Sequence, residues 1–557
     1  MPSQVVRLPS RRWSIVALAA AGMATVVVSY LLVMGVAVGF IALPYFLLMS
    51  GHLVIIGGVF IWQLLVLRLL LSAFGVVVGF TMLRSLLLDE SSFEPNGIQI
   101  DLSKEPVLAR EIGAVASALK EPMPSQVYLL GDANAFVSEP AQSGAGRRRI
   151  LGLGLPLLQM LSIDEFRWVL AHEFAHYYSG DTTLGPWLHQ ARRSMEQVYQ
   201  NLDRSSTVRK FVRRSPAARG PYRLLMKGLR VYWRLFMRIA QAIARRQEFR
   251  SDELACYLAG SQALDGALKT MRKCQAGLGA YWSLFVIPVV ASGFQPELAR
   301  EFGSFMQVSP IAQANAEYLA QQASLAKASP FDSHPPDEQR MERGKRYNLP
   351  APDRDSPEDA PGAPAISLIV DLSVHETRLI RKLIPAAFAD LKPLNWETAG
   401  FDIFVPFWRK QVAAFFPFLS TQTMSEFPML VLDPRPLAMR IPASPREPPN
   451  EARRMGYARN ILASALSLVL LDNGWQMAAR PGEIYFEKGE FKVDPGEVVG
   501  AIGAGKLSVV AWSSVCSQLG IGNWPLAVPE PALPSEVTPN FAEPSAYSPE
   551  VAEPEPF

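Results

Sequence analysis

Cysteine is nearly absent from this chain. Cys256, Cys274 and Cys516 are the only three, odd in number and far apart. That excludes a disulfide framework and a four-thiolate zinc site, and it fits a reducing compartment. A charge excess of one sign is also lacking. The formal net charge is +3 over 557 residues, too little to argue for nucleic acid. No internal repeat is present. The most informative absence is local: between Trp13 and Leu83 there is no Lys, Asp or Glu, and only His52 and Arg68 interrupt the apolar run. A bilayer is spanned by about 20 apolar residues, so a run of roughly 70 allows two long spans or three short ones. The run is too long for a signal peptide. It has no polar face with which a soluble helical core would meet water.

Charge around this run orients it. Arg7, Arg11 and Arg12 precede it and Arg84 closes it, while Leu43 to His52 in the middle has a Pro, a Gly and no Lys or Arg. Positive ends stay cytoplasmic. The expectation is a multi-pass anchor in the cell (inner) membrane over residues 1–88. It is a hairpin of two transmembrane helices with both ends inside; three spans would put the remainder outside. Between Arg192 and Arg246 stand 15 Lys or Arg against Glu196 and Asp203. Such a stretch is easiest to keep in the cytoplasm, facing anionic lipid.

Beyond the anchor the fold class reads as α+β. A mainly helical domain with a small sheet is expected over 89–347, a Pro/Asp-rich linker over 348–365, and an α+β accessory unit over 366–525. A Pro/Glu-rich tail comes last over 526–557, with six glutamates and no Lys or Arg from Val528 on, and is expected to be disordered. Strands are predicted at Asn96 to Leu102, Gln126 to Leu130 and Ala133 to Ser138, and from Arg148 into a helix. Ser162 followed by Glu165 is a capping box, predicting a helix from Ile163 to about Tyr178. Tyr222 to about Leu258 reads as one long amphipathic helix. Its basic stripe of Lys227, Arg230, Arg234 and Arg238 is a solvated face or a membrane-surface contact. Tyr281 to Val290 is apolar and too short to cross, so a buried helix is expected. Strands in the accessory unit are predicted to join at Pro481-Gly482 and Lys488-Gly489.

Few as the histidines are, two of the six stand four residues apart in "VLAHEFAHYYSGD", Val169 to Asp181. That spacing places His172 and His176 on one helix face, able to present both imidazoles to one metal. Glu173 is beside the first, placed to reach a water on that metal rather than the metal itself. The ordinary alternative is two histidines on a polar helix face. A catalytic zinc needs a third protein ligand. Thr182 stands where an extended motif would have a third His. Glu196 has the short spacing of thermolysin-like enzymes, but Gln200 stands four residues on, where an acid is needed. Glu248 is better placed, with Asp252 one turn later on the same face. A ligating His usually gives its other N–H to a carboxylate, which Asp252 could be. Ion pairs with Arg245, Arg246 and Arg250 are the plain alternative for both acids.

Four separated segments together resemble the HtpX-like and CAAX-prenyl-endopeptidase-like family of membrane zinc metallopeptidases. They are "NAF" (Asn134 to Phe136), "LAHEFAHYYSGD" (Leu170 to Asp181), "RRQEFRSDELA" (Arg245 to Ala255) and "SHPPDEQRMERG" (Ser333 to Gly344). The resemblance implies one zinc per chain on His172, His176 and Glu248, with Asp252 supporting a ligand and Glu173 as the base. It implies His334 as a catalytic donor to the oxyanion, oriented by Arg340. Asn134, Ala135 and Phe136 would form an edge strand on which an extended substrate pairs. The expected function is a membrane-anchored zinc endopeptidase acting on polypeptides, membrane or misfolded proteins among them. Alternatives are a narrow-specificity peptidase for a membrane or lipidated precursor, and a non-catalytic zinc-stabilised membrane scaffold.

Overall fold

The computed structural model describes residues 94–139, 149–178, 216–325, 335–350, 362–384, 391–441 and 451–528, with parts of 24–80 and of 197–213. The chain is mostly helical with small sheets. Most of the expected membrane hairpin lies outside the described residues. Within it, α1 (Tyr30–Ala42) is a short apolar helix, and residues 72–80 are helical. The two pack closely: a Cβ on Gly79 would fall 2.6 Å from the Ala37 carbonyl oxygen.

The first domain begins with β1 (Gly97–Ile100), α2 (Pro106–Ala118), β2 (Gln126–Leu130), β3 (Ala135–Ser138) and β4 (Ile150–Gly154). The sheet order is β1-β2-β4-β3, with β2 and β4 parallel and the other pairs antiparallel. β3 is therefore an edge strand. Its close seat on β4 depends on Gly152, where a Cβ would meet the Phe136 ring at 2.4 Å. From β4 the chain enters α3 (Leu155–Met160) and then α4 (Ile163–Tyr178). The capping box forms as predicted: Ser162 N–H donates to Glu165 Oε2 at 2.9 Å, and Glu165 N–H donates to Ser162 Oγ at 3.3 Å. Phe166, Trp168 and Phe174 on α4 are fully buried. Each contributes roughly 1.5–3 kcal/mol on burial, which fixes the helix against the domain.

α5 (Pro216–Ala259) packs along α4. Its 44 residues make it about 66 Å long at 1.5 Å per residue, and it starts earlier than the pattern suggested. α6 (Ser261–Tyr281) continues through one π-helical turn to Ala291. The apolar run expected as a short separate helix is thus the end of a 31-residue one. Among the described residues this is the one helix long and apolar enough to cross a membrane, yet half of its apolar window is buried within the protein. Tyr281, Trp282, Phe285 and Val286 sit in the domain core. α7 (Leu298–Gln307) and α8 (Asp337–Tyr347) complete the domain, α8 ending on Asn348 in the left-handed region.

The compositional break at 348–365 is not where packing divides. Ile163 N–H donates to the Ala363 carbonyl and Ala365 N–H to the Leu161 carbonyl, so the last residues of the break clamp the start of α4. Ala365 through Ile403, including α9 (Leu372–Leu383), share the first core. A second core begins at Val405. It is built on α10 (Val405–Ala413), α11 (Glu451–Asp472), the meander β5 (Gln476–Arg480), β6 (Glu483–Lys488) and β7 (Phe491–Val493), and two closing helices. The β-turns fall at Gly482 and Gly489, both at positive φ, where the sequence placed them.

Candidate metal centre

α4 and α5 bring the three predicted ligands together. His172 and His176 lie one turn apart on α4, their Nε2 atoms 3.3 Å from each other. Glu248 enters from α5, with Oε2 3.5 Å from His172 Nε2 and Oε1 3.8 Å from His176 Nε2. One ligand atom from each residue lies within 4.8 Å of the others. His172 and Glu248 are buried. Two imidazole nitrogens and a carboxylate oxygen converging on one point form the donor set of a catalytic zinc site, and a dication there would satisfy all three. The residues therefore fit the metal.

The supports are as ordered as the ligands. His172 Nδ1 is 3.1 Å from Asp252 Oδ1, one turn beyond Glu248 on α5, close though not aligned as a full hydrogen bond. His176 Nδ1 is 3.4 Å from Ser251 Oγ. The Trp168 ring stacks on His172 with centroids 5.2 Å apart. Burial opposes charge on His172, but Asp252 and Glu248 outweigh it and hold its pKa up to about 9 without metal. Burial likewise pushes Asp252 up, yet Arg340 and His172 prevail and keep it below the usual carboxylate range.

Arg340 is where the sequence reading and the structure part. It was expected among substrate-binding residues, orienting His334. Its guanidinium is instead buried and forks onto Asp252, Nε to Oδ2 at 2.9 Å and Nη2 to Oδ1 at 2.7 Å, with Glu248 Oε2 at 3.7 Å. Two carboxylates buried together cost several kcal/mol each unless paired; Arg340 supplies the pairing from α8. His334, Thr182 and Glu196 lie outside the described residues. Trp168 and Ser251 were missed, although Trp168 stands four residues before His172 and so shares its helix face.

Glu173 projects toward β3, its Oε2 accepting from Val137 N–H at 3.3 Å. Of the expected strand triplet, Ala135 and Phe136 lie in β3, and Asn134 immediately precedes it, its carbonyl accepting from Gly154 N–H. Residues 134, 136 and 138 are thus in register to bond β4, which leaves the backbone groups of Ala135 and Val137 facing outward toward the ligands. A carboxylate, two imidazoles and the edge strand of the sheet meet at one place.

Comparison with known proteins points to the same stretch. Residues 102–347 match Peptidase family M48. The matched stretch contains all of the residues just described. The chain is also similar to Protease HtpX of Idiomarina loihiensis, 25% identical over 167 residues, covering 30% of this chain and 57% of that protein. Protease HtpX of Pseudomonas putida is 28% identical over 143 residues, 25% of this chain and 47% of that protein. The chain thus spans about half the length of the curated relatives it matches. No solved structure matches the chain. The resemblance read from the four motifs is to this HtpX-like M48 family.

Proposed function

We propose that the protein is a zinc endopeptidase held at a membrane, hydrolysing peptide bonds in flexible segments of membrane or misfolded proteins. The observation that carries the reading is the convergence of His172, His176 and Glu248 beside Glu173 and an open strand edge. His172, His176 and Glu248 would hold the metal. Zinc bound there would supply Lewis-acid polarisation of the scissile carbonyl and lower the pKa of a water. Glu173 is the base, accepting the proton of the attacking water and passing it to the leaving amine. Asp252 and Arg340 hold His172 and Glu248 in place. Ala135 and the Val137 carbonyl would offer outward backbone groups to an extended substrate, the Val137 N–H being held by Glu173, a mode tolerant of side-chain sequence. His334 remains the candidate donor to the developing oxyanion.

The membrane part of the proposal rests on the uncharged Trp13 to Leu83 run and its flanking arginines. Two spans with both ends inside would put the metal centre on the cytoplasmic side.

The test uses the full chain purified in detergent. About one zinc per chain is expected. Glu173→Gln should keep that zinc and lose at least ~100-fold in cleavage of an unfolded protein. Glu248→Ala should lose zinc, whereas Glu196→Ala should retain it. Normal cleavage by Glu173→Gln removes Glu173 as the base; zinc retained with no cleavage by the wild-type chain favours a structural site.

A further inference from the structure

The long helix α5 has two apolar stripes, and the structure buries only one. Met226, Leu229, Phe236 and Met237 pack inward. Their neighbours are Val33, Ala37 and Tyr30 of α1 and Phe74 and Val78 of the second N-terminal helical piece. The other stripe is Leu224, Val231, Leu235 and Ile239, with exposures of 72%, 59%, 56% and 36%. Its positions recur at helical spacing and form a continuous outward line. Beside it runs a second outward line of Arg223, Lys227, Arg230, Arg234 and Arg238, all exposed. No acidic residue occurs in the helix before Glu248.

We propose that this face of α5 docks on an anionic phospholipid surface. Water alone does not account for it. A solvated helix face would be polar, whereas four large apolar side chains in line are a contact surface. The partner's chemistry is set by the adjoining line of cations. An uncharged protein groove would match the apolar line alone, whereas a negatively charged amphiphilic layer matches both lines along their whole length. Apolar side chains enter the acyl boundary while Arg and Lys reach the phosphates. The inward stripe packs on the apolar N-terminal region, whose Leu31, Met34 and Val38 are themselves exposed. The docking face is therefore continuous with a second apolar surface. The positive face also continues to an open pocket of about 380 Å³ lined by Ala242, Arg245, Arg246, Phe249 and Arg343.

Docking has a consequence for the metal centre, resting on the peptidase reading. Glu248 lies nine residues beyond Ile239 on the same helix, about 13 Å along its axis. An extended chain covers that in about four residues. Cleavage would then fall on segments emerging directly from the bilayer.

The test reads lipid contact and not cleavage, so it stands apart from the enzymatic reading. The three native cysteines are buried, so an introduced surface cysteine can be labelled selectively. Val231→Cys and Leu235→Cys in the full chain are labelled with an environment-sensitive fluorophore and reconstituted into vesicles carrying a lipid-borne quencher. Val510→Cys, at an 80% exposed position on the second helix after the C-terminal meander, is the control. Expected is quenching at 231 and 235, absent at 510, and at least about twofold stronger in vesicles containing phosphatidylglycerol than in phosphatidylcholine alone. Combining the labels with Arg230→Gln, Arg234→Gln and Arg238→Gln should remove that excess. Equal quenching in both lipids would overturn the anionic preference. No quenching at either site, including a blue shift without quenching from a covering protein, would overturn the docking.

Discussion

Single residues decide whether the centre can hold a metal, and Arg340 is the least obvious of them. It touches none of the three ligands' metal-facing atoms at hydrogen-bond distance, yet it forks onto Asp252, which lies 3.1 Å from His172 Nδ1. Without it, Asp252 and Glu248 would be two buried carboxylates facing one another across a turn, and one of them would protonate or swing away. Arg340→Ala is therefore expected to lower zinc affinity by about 10–100-fold, the range for losing a group that orients a ligand. Asp252→Asn, which keeps the shape but loses the charge, should fall in the same range. Arg340→Lys should recover only part of the loss, because an ammonium cannot fork onto both oxygens. Zinc retention against a graded series of chelators measures all three. Wild-type retention by Arg340→Ala would mean that Asp252 needs no partner to stay in place.

Among the elements, β3 has the clearest consequence. Its ladder to β4 uses the register of residues 134, 136 and 138, so the Val137 N–H is not part of it and reaches Glu173 instead. Val137→Pro should leave the sheet intact, since proline is tolerated on an edge where no ladder donor is lost. Because it also removes the N–H that Glu173 accepts from, it should lower cleavage of extended substrates by about 3–10-fold, the worth of one backbone hydrogen bond, in kcat as well as KM while zinc stays bound. Unchanged kcat and KM would count against both the contact to Glu173 and strand addition on this edge. The strand was legible in advance as a short extended stretch, and its place at the substrate edge came from the family resemblance of Asn134 to Phe136. The capping box at Ser162 and Glu165 was legible because its signal is local, and with it the span of α4 and the face shared by His172 and His176. What the sequence concealed is long-range. Arg340 stands 88 residues from Asp252 and 92 from Glu248, and no periodicity links them. The clamp of Ala363 and Ala365 onto α4 was hidden because proline-rich composition reports the lack of regular structure, not the lack of packing. The continuity of Ser261 to Ala291 was hidden because a polar first half masks the length of the helix.

At the scale of the whole molecule, buried polar contacts join the domain that matches family M48 to residues 365–403, which share its core. Glu105 accepts from Val370 N–H at 2.7 Å and lies 2.8 Å from His375 Nε2. Glu376 accepts from Ala299 N–H at 2.8 Å, and Glu301 Oε1 accepts from Trp396 Nε1–H at 2.8 Å. Glu301 Oε2 is buried with no hydrogen bond. Burial raises Glu301 to about 8 and Glu376 to about 7, with Glu297 adding to both. The unfolded chain releases these protons near 4.5, so between that value and about 8 the native state holds more protons than the unfolded one. Stability must then fall as pH rises through this window, and the loss is complete above it. Glu301→Gln keeps an acceptor for Trp396 and removes the titration. The thermal midpoint of the variant relative to wild type, measured in detergent, should therefore rise steadily from about pH 4.5 to about pH 8, the window set by the unfolded and folded pKa values of Glu301. Comparing the two proteins at each pH cancels the titration of groups that do not interact with Glu301; Glu297 and Glu376 do interact with it, and their response is part of the difference measured. A difference that stays flat across the range would show that Glu301 ionises in the folded protein at its ordinary value, and that the join around Trp396 is open to water.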